Sequence, residues 1–337
     1  MTIDYSDITV VVQGPVQALP DRDQDEGVTK QCLASVRLHL PGARIILSTW
    51  ENQDLDGLTF DELHINEDPG TNIREYKKDG RPVKMNNNRQ IASSVGGLKQ
   101  VKTKYALKLR SDNFLTGSEF VDIQKRFTKR SEDCRFFKER VVAVNTFTRQ
   151  YHSGKRVAFH LSDFFHFGLT EDLLLLWDIP FLPDLAYSEE NKGKAQNNGF
   201  PQINVDCTQS FWLAALSKTR SDVSIRYLYD CSSEKLELSN KYYANNLVIA
   251  SPSELGVSVG DKFTNPARSK AGKRSGVVCF MTFREWQSLY RRHCDREYRV
   301  SGSFLEDVRL WFWRLLLVFP RRPETELKLL RRRIRGY

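Results

Sequence analysis

No stretch of about 18 apolar residues occurs in this 337-residue chain, so no helix is expected to span a bilayer. The six cysteines, at 32, 134, 207, 231, 279 and 294, include no CxxC pair. That absence removes support for a zinc or thioredoxin-like site and suits free thiols in a reducing compartment. The first residues, Met1-Thr-Ile-Asp-Tyr-Ser-Asp7, carry acids where a secretory leader carries bases, so the expected location is cytoplasmic. There is no internal repeat and no low-complexity tract. A Gly-rich phosphate loop with Arg and Lys is also missing after the first apolar run, where Gly14-Pro15-Val16-Gln17-Ala18 stands instead. A nucleotidyltransferase on such a sheet usually needs that loop.

What is present is an ordinary globular composition, 40% hydrophobic and 28% charged, which supports a sizeable core. The net charge of +9 is uneven. Arg321, Arg322, Lys328, Arg331, Arg332, Arg333 and Arg335 crowd the last seventeen residues against only Glu324 and Glu326. A nucleic-acid binder would spread its charge along one folded face with aromatics interleaved. A nucleic-acid partner is therefore not expected, and a nucleic-acid- or membrane-binding scaffold without catalysis is the alternative to an enzyme.

Apolar runs alternate with helical periodicity in the first half. Ile8 to Gly14, Ala43 to Glu51, Phe60 to Asn66 and Tyr105 to Leu109 read as strands. Val28 to Leu40 and Asn86 to Val101 read as helices. This alternation predicts βαβ units and a mostly parallel sheet. In the second half Val141 to Phe147 reads as a strand, and Glu171 to Trp177 and Cys207 to Leu216 as helices. Lys192 to Pro201 reads as a mobile loop and Leu255 to Gly276 as a lid or linker. From Phe280 onward the chain is helical and basic.

The strand ends carry the chemistry. Four of them close on polar clusters: Gln13-Gly14-Pro15, Ser48-Thr49-Trp50-Glu51, Asp68-Pro69-Gly70 and Arg110-Ser111-Asp112. In a parallel sheet all four face one rim, where open α/β sheets bind ligands. Trp50 can stack on a base and Glu51 can accept hydrogen bonds from it. Arg89, near a helix start, and Arg110 can meet phosphates. Asp112 can hold a hard divalent cation that bridges a diphosphate. A second cluster, His160-Leu-Ser-Asp163-Phe-Phe-His166, offers Asp163 as a general base. The bland alternatives are Asx turns at the strand ends and a His and Asp satisfied within a turn.

Val11-Val-Gln-Gly-Pro15, Ile45-Ile-Leu-Ser-Thr-Trp-Glu51, Asp68-Pro-Gly70, Asn87-Asn-Arg-Gln-Ile91, Tyr105 to Asp112 and Phe159 to Gly168 follow one another in an order that resembles the WavE lipopolysaccharide-synthesis family. The resemblance covers roughly residues 8 to 215. It implies a GT-A-like, mostly parallel Rossmann-type α/β sheet flanked by helices, here with a helical basic C-terminal extension. It also implies a glycosyltransferase that moves a sugar from a nucleotide-sugar donor to a bacterial surface glycan, such as lipopolysaccharide core, O-antigen or capsule. Gln13, Gly14, Pro15, Trp50, Glu51, Asp68, Arg89 and Arg110 would then hold the donor, and Asp112 a divalent metal, Mg or Mn. Arg110-Ser111-Asp112 lacks the first Asp of the usual Asp-x-Asp. The family pattern also has Pro-Glu-Gln before an aromatic, and here Thr208 stands at the Glu, ahead of Gln209. Asp163, with His160 beside it, and Asp206, which also reads as a helix cap, are the alternatives for the catalytic base.

Three parts are expected. Residues 1–115 form the nucleotide-sugar half of a domain and 116–276 its acceptor half. Residues 277–337 form a helical basic segment. Phe304 to Phe319 is rich in Trp, Phe and Leu but too short to span a bilayer, and basic residues flank it. Such a helix suits the anionic inner face of a bacterial inner membrane, where lipid-linked glycan acceptors reside.

Overall fold

A computed structural model describes residues 3–17, 25–189, 192, 205–221 and 223–334. The segment read as a mobile loop lies outside these, apart from Lys192. The chain begins with β1 (Ile8–Gln13), α1 (Val28–His39), β2 (Arg44–Trp50) and β3 (Glu62–Asn66). A hairpin of β4 (Asn72–Tyr76) and β5 (Pro82–Met85) precedes α2 (Asn87–Gln100) and β6 (Tyr105–Arg110). Then come β7 (Phe114–Leu115), α3 (Glu119–Arg126), β8 (Val141–Val144), β9 (Tyr151–His152), β10 (Lys155–Arg156), β11 (Phe165–Leu169) and α4 (Thr170–Trp177). The remainder is α5 (Cys207–Leu216), α6 (Ser233–Asn246), β12 (Leu247–Ala250), α7 (Pro252–Leu255), β13 (Val257–Ser258), α8 (Asp261–Thr264), α9 (Arg274–Val277), α10 (Phe283–His293), α11 (Phe304–Leu317) and α12 (Arg321–Ile334).

Seven strands form the central sheet in the order β12-β8-β11-β6-β1-β2-β3. Neighbours are parallel except at β11, which runs against both β6 and β8. Six strands therefore point one way and one is reversed. The β1 sequence Ile-Thr-Val-Val-Val-Gln is buried at every position, because helices cover both faces of a central parallel strand. Strands from residues below and above 115 share this one sheet.

Helix α2 lies close against the sheet. A Cβ on Gly97 would come 2.4 Å from Val11 Cγ1 and 2.7 Å from Ser48 Cβ. The Ser48 hydroxyl donates to the Ser93 carbonyl at 2.7 Å, which fixes the helix lengthwise. Its first turn, with Arg89 and Gln90, is thereby brought to the rim. The 255–276 segment, read as a lid or linker, is tied down as well. Its strand β13 pairs antiparallel with β7, so α8 sits beside the end of β6.

Helix α11 exposes most of its apolar residues, and Arg314 is its one buried residue. The Arg314 guanidinium donates to Glu285 and to the carbonyls of Val278 (2.8 Å) and Phe280 (3.2 Å). A charge embedded in an apolar run is thus the anchor of this helix.

Candidate functional site

The parallel strands end in Gln13, Trp50, Asn66 and Arg110 along one rim. The reversed strand brings its amino end to that rim, since Phe165 pairs with Leu109. Asp163 and Phe164 therefore arrive opposite the end of β6. A cleft of about 640 Å³ lies over these ends. The ladder continues beneath it, with Ser111 N–H donating to the Gln13 carbonyl (2.9 Å) and Gly14 N–H to that of Ser48 (3.1 Å). Gly14 has φ +116°, a region that disfavours side chains, and the Ser111 hydroxyl donates to the Pro15 carbonyl. Gln13 accepts from Ser93 at 2.7 Å. Gln13, Gly14 and Pro15 thus form the packed floor.

At the end of β6, Arg110 Nε and Nη2 each donate to Asp112 at 2.8 Å. Arg110 Nη1 lies 3.9 Å from Asp163 Oδ2. Lys262 of α8 adds a second cation, 2.7 Å from Asp112 Oδ2. The Arg110 guanidinium carbon lies 4.6 Å from the Phe164 ring centre and 5.2 Å from that of Phe263. Burial would raise the Asp112 carboxyl, but Arg110 and Lys262 outweigh it and hold it far below the usual carboxylate range. The donor set does not suit a divalent metal. Among the described residues no group of three His, Cys, Asp or Glu converges. Both oxygens of Asp112, expected to hold that metal, face cations instead.

Asp163 lines the cleft and is 8% exposed. Gln90 donates to its carboxylate and to its carbonyl, and the buried Lys108 ammonium donates to the same carbonyl. Burial pushes Lys108 down to about 7, with Asp163 working against it. Asp206 does caps-and-network work. Its Oδ1 accepts from Thr208 N–H (3.1 Å) and from the Thr208 hydroxyl (2.7 Å), completing a capping box with Gln209. That hydroxyl also lies within hydrogen-bond distance of His160 Nδ1, at 3.0 Å. Burial would raise Asp206, but His160 and Thr208 outweigh it and hold it at about 2. Burial lowers His160 to about 4, so its ring is neutral near pH 7.

Trp50 and Arg89 also line the cleft, with the Arg89 guanidinium 5.6 Å from the Trp50 ring. Arg89 is held by Asp68 through two hydrogen bonds of 2.7 and 2.6 Å. Glu51 and Asp68 are exposed and lie outside the cleft lining. Sequence reasoning passed over Lys262, Phe263, Arg149 and Gln90, all of which line the cleft. Gln90 stood within a quoted motif. Lys262 lay in a polar segment that no local pattern ties to β6.

The molecule is an α/β protein with a charged, ligand-sized cleft on the carboxyl rim of an open, mostly parallel sheet. Residues 8–314 match the model of the WavE lipopolysaccharide synthesis family, and the chain belongs to that family. No curated protein matches it. No helix among the described residues is long and apolar enough to cross a membrane.

Proposed function

We propose that this chain is a GT-A-type glycosyltransferase that moves a sugar from a nucleotide-sugar donor to a bacterial surface glycan. The observation that carries this reading is the cleft itself. The cations Arg89, Arg110 and Lys262 and the Asp163 carboxylate all line it, in a chain of a lipopolysaccharide-synthesis family. Donor phosphates meet the cations, with Trp50 at the rim for the base. Asp163 takes the proton from the acceptor hydroxyl as that oxygen attacks the anomeric carbon, and the nucleotide leaves toward the cations. Asp206, occupied as a helix cap, supports the wall through Thr208 and His160. Purified protein incubated with a panel of nucleotide-sugars and a rough lipopolysaccharide acceptor should release one nucleotide. No release from any donor would overturn the reading.

The acceptor side is assigned to the inner face of the inner membrane. Phe304 (71% exposed), Trp311 (60%) and Phe312 (53%) stand out on α11, and α12 follows with Arg321, Arg322, Lys328 and Arg331. An apolar helix beside a basic one suits an anionic leaflet carrying a lipid-linked glycan. The scaffold alternative has no use for the half-buried Arg110–Asp112–Lys262 cluster.

A further inference from the structure

We infer that this cleft neutralises a nucleoside phosphate with a fixed Arg110–Lys262 clamp in place of a divalent metal, and that Asp112 is the positioning counter-ion of that clamp. The inference rests on the glycosyltransferase reading and names how its donor is held.

The geometry of Arg110 carries the argument. Its Nε and Nη2 face Asp112 and its Nη1 faces Asp163. The guanidinium thus fills the gap between two carboxylates where a bridging cation would sit. It is held there, between hydrogen bonds on its edge and the Phe164 and Phe263 rings. A metal would have to displace a cation that two hydrogen bonds and two aromatic rings already hold, with only 18% of its side chain open to the cleft. Lys262 occupies the remaining approach to Asp112. Oxygen-ligated Mg or Mn needs several hard donors around it, and this corner supplies ammonium and guanidinium groups instead.

Two cations side by side repel, and Asp112 is what lets them stay together. Its carboxylate holds both within hydrogen-bond reach of one acid and so fixes their spacing before any ligand arrives. Such preorganised charge stabilises a leaving phosphate without reorganisation. Lys262 belongs to α8, on the segment tied to the end of β6 through β7 and β13. Residues about 150 positions apart in sequence therefore build one anion site.

Isothermal titration of the full chain with UDP, GDP and CMP, in excess EDTA and again with Mn²⁺, tests this. At least one nucleotide should bind, with a dissociation constant that differs less than about twofold between the two conditions. Lys262→Ala and Lys262→Gln should each weaken that nucleotide at least about tenfold. Asp112→Asn, which removes the charge that holds the two cations together, should weaken that nucleotide at least about threefold in EDTA and in Mn²⁺ alike, and an unchanged constant would overturn its positioning role. Melting curves of each variant confirm that it is folded, and pyrophosphate titration reports the clamp without the base. Binding that appears only with Mn²⁺ and vanishes in folded Asp112→Asn overturns the clamp and leaves the glycosyltransferase reading standing. Metal-independent binding that ignores both Lys262 substitutions also overturns it. If no nucleotide binds under either condition, the donor reading falls and the clamp falls with it.

Discussion

Asp163 is held from two directions, its carboxylate by Gln90 and its carbonyl by Gln90 and Lys108, so its position does not depend on a bound ligand. Asp163→Asn keeps shape and hydrogen bonding but removes the base. Its kcat should fall about 10²–10⁴-fold with nucleotide affinity unchanged, read by steady-state kinetics beside calorimetry. A near-normal kcat would transfer the proton to another group. Arg110 and Asp112 were legible as neighbours at a strand end, Asp112 for a metal and Arg110 for phosphate, but not as partners of each other. Their partner Lys262 was not legible, since nothing within a few residues of it signals that α8 returns to β6. Thr208 illustrates the same limit. Its departure from the family pattern was visible, but its link between His160 and Asp206 exists only once α5 is packed.

Among the elements, α2 and α11 show opposite ways of fixing a helix. Gly97 allows α2 to touch β1 and β2 directly, so Gly97→Ala should destabilise the protein by about 1–3 kcal/mol in urea unfolding. An unchanged midpoint would mean the helix shifts freely. Arg314 fixes α11 by a buried ion pair with Glu285. Arg314→Met should cost about 2–3 kcal/mol, less than a fully enclosed pair because Glu285 is 21% exposed. The exposed face of α11 should bind anionic vesicles at low salt. Phe312→Glu combined with Leu316→Glu should weaken that binding at least about tenfold while leaving the melting temperature unchanged. Equal sedimentation of both proteins would remove the membrane assignment. Strands β1, β2 and β6 were readable because buried Val, Ile and Leu runs stop at polar residues. The β4–β5 hairpin was not, because Asn72-Ile-Arg-Glu-Tyr76 is charged and short. Strand β11 itself was hidden for another reason. All five of its residues are buried, which erases the alternation that separates one face from the other.

For the whole molecule, buried histidines set the acid limit. Burial lowers His152 to about 3 and His160 to about 4, and drives His166 well below 6.5, with Lys108 adding to the last. These bases are depressed in the folded state, so between pH 6.5 and 4 the unfolded chain binds more protons. The histidine contribution should be full above 6.5 and be lost as pH falls, by roughly 3 kcal/mol for His160 alone. Asp172, which burial raises to about 6, works the other way in the same window, against the three histidines. Chemical unfolding at pH 7.5 and 4.5 measures the difference, and equal stability would contradict it. The reversed strand has a consequence for synthesis. Strand β6 has β1 on one side, but its other neighbour is β11, and β8 must wait for β11 as well. At about 5–20 residues per second, the emerging chain carries β6 with an open edge for several seconds before Phe165–Leu169 leaves the ribosome. Ribosome-arrested chains ending near residue 160 should be rapidly cut by protease and retained by chaperones, whereas full-length chains resist. The strand that delivers Asp163 to the rim is made late, and the nascent chain is vulnerable until it emerges.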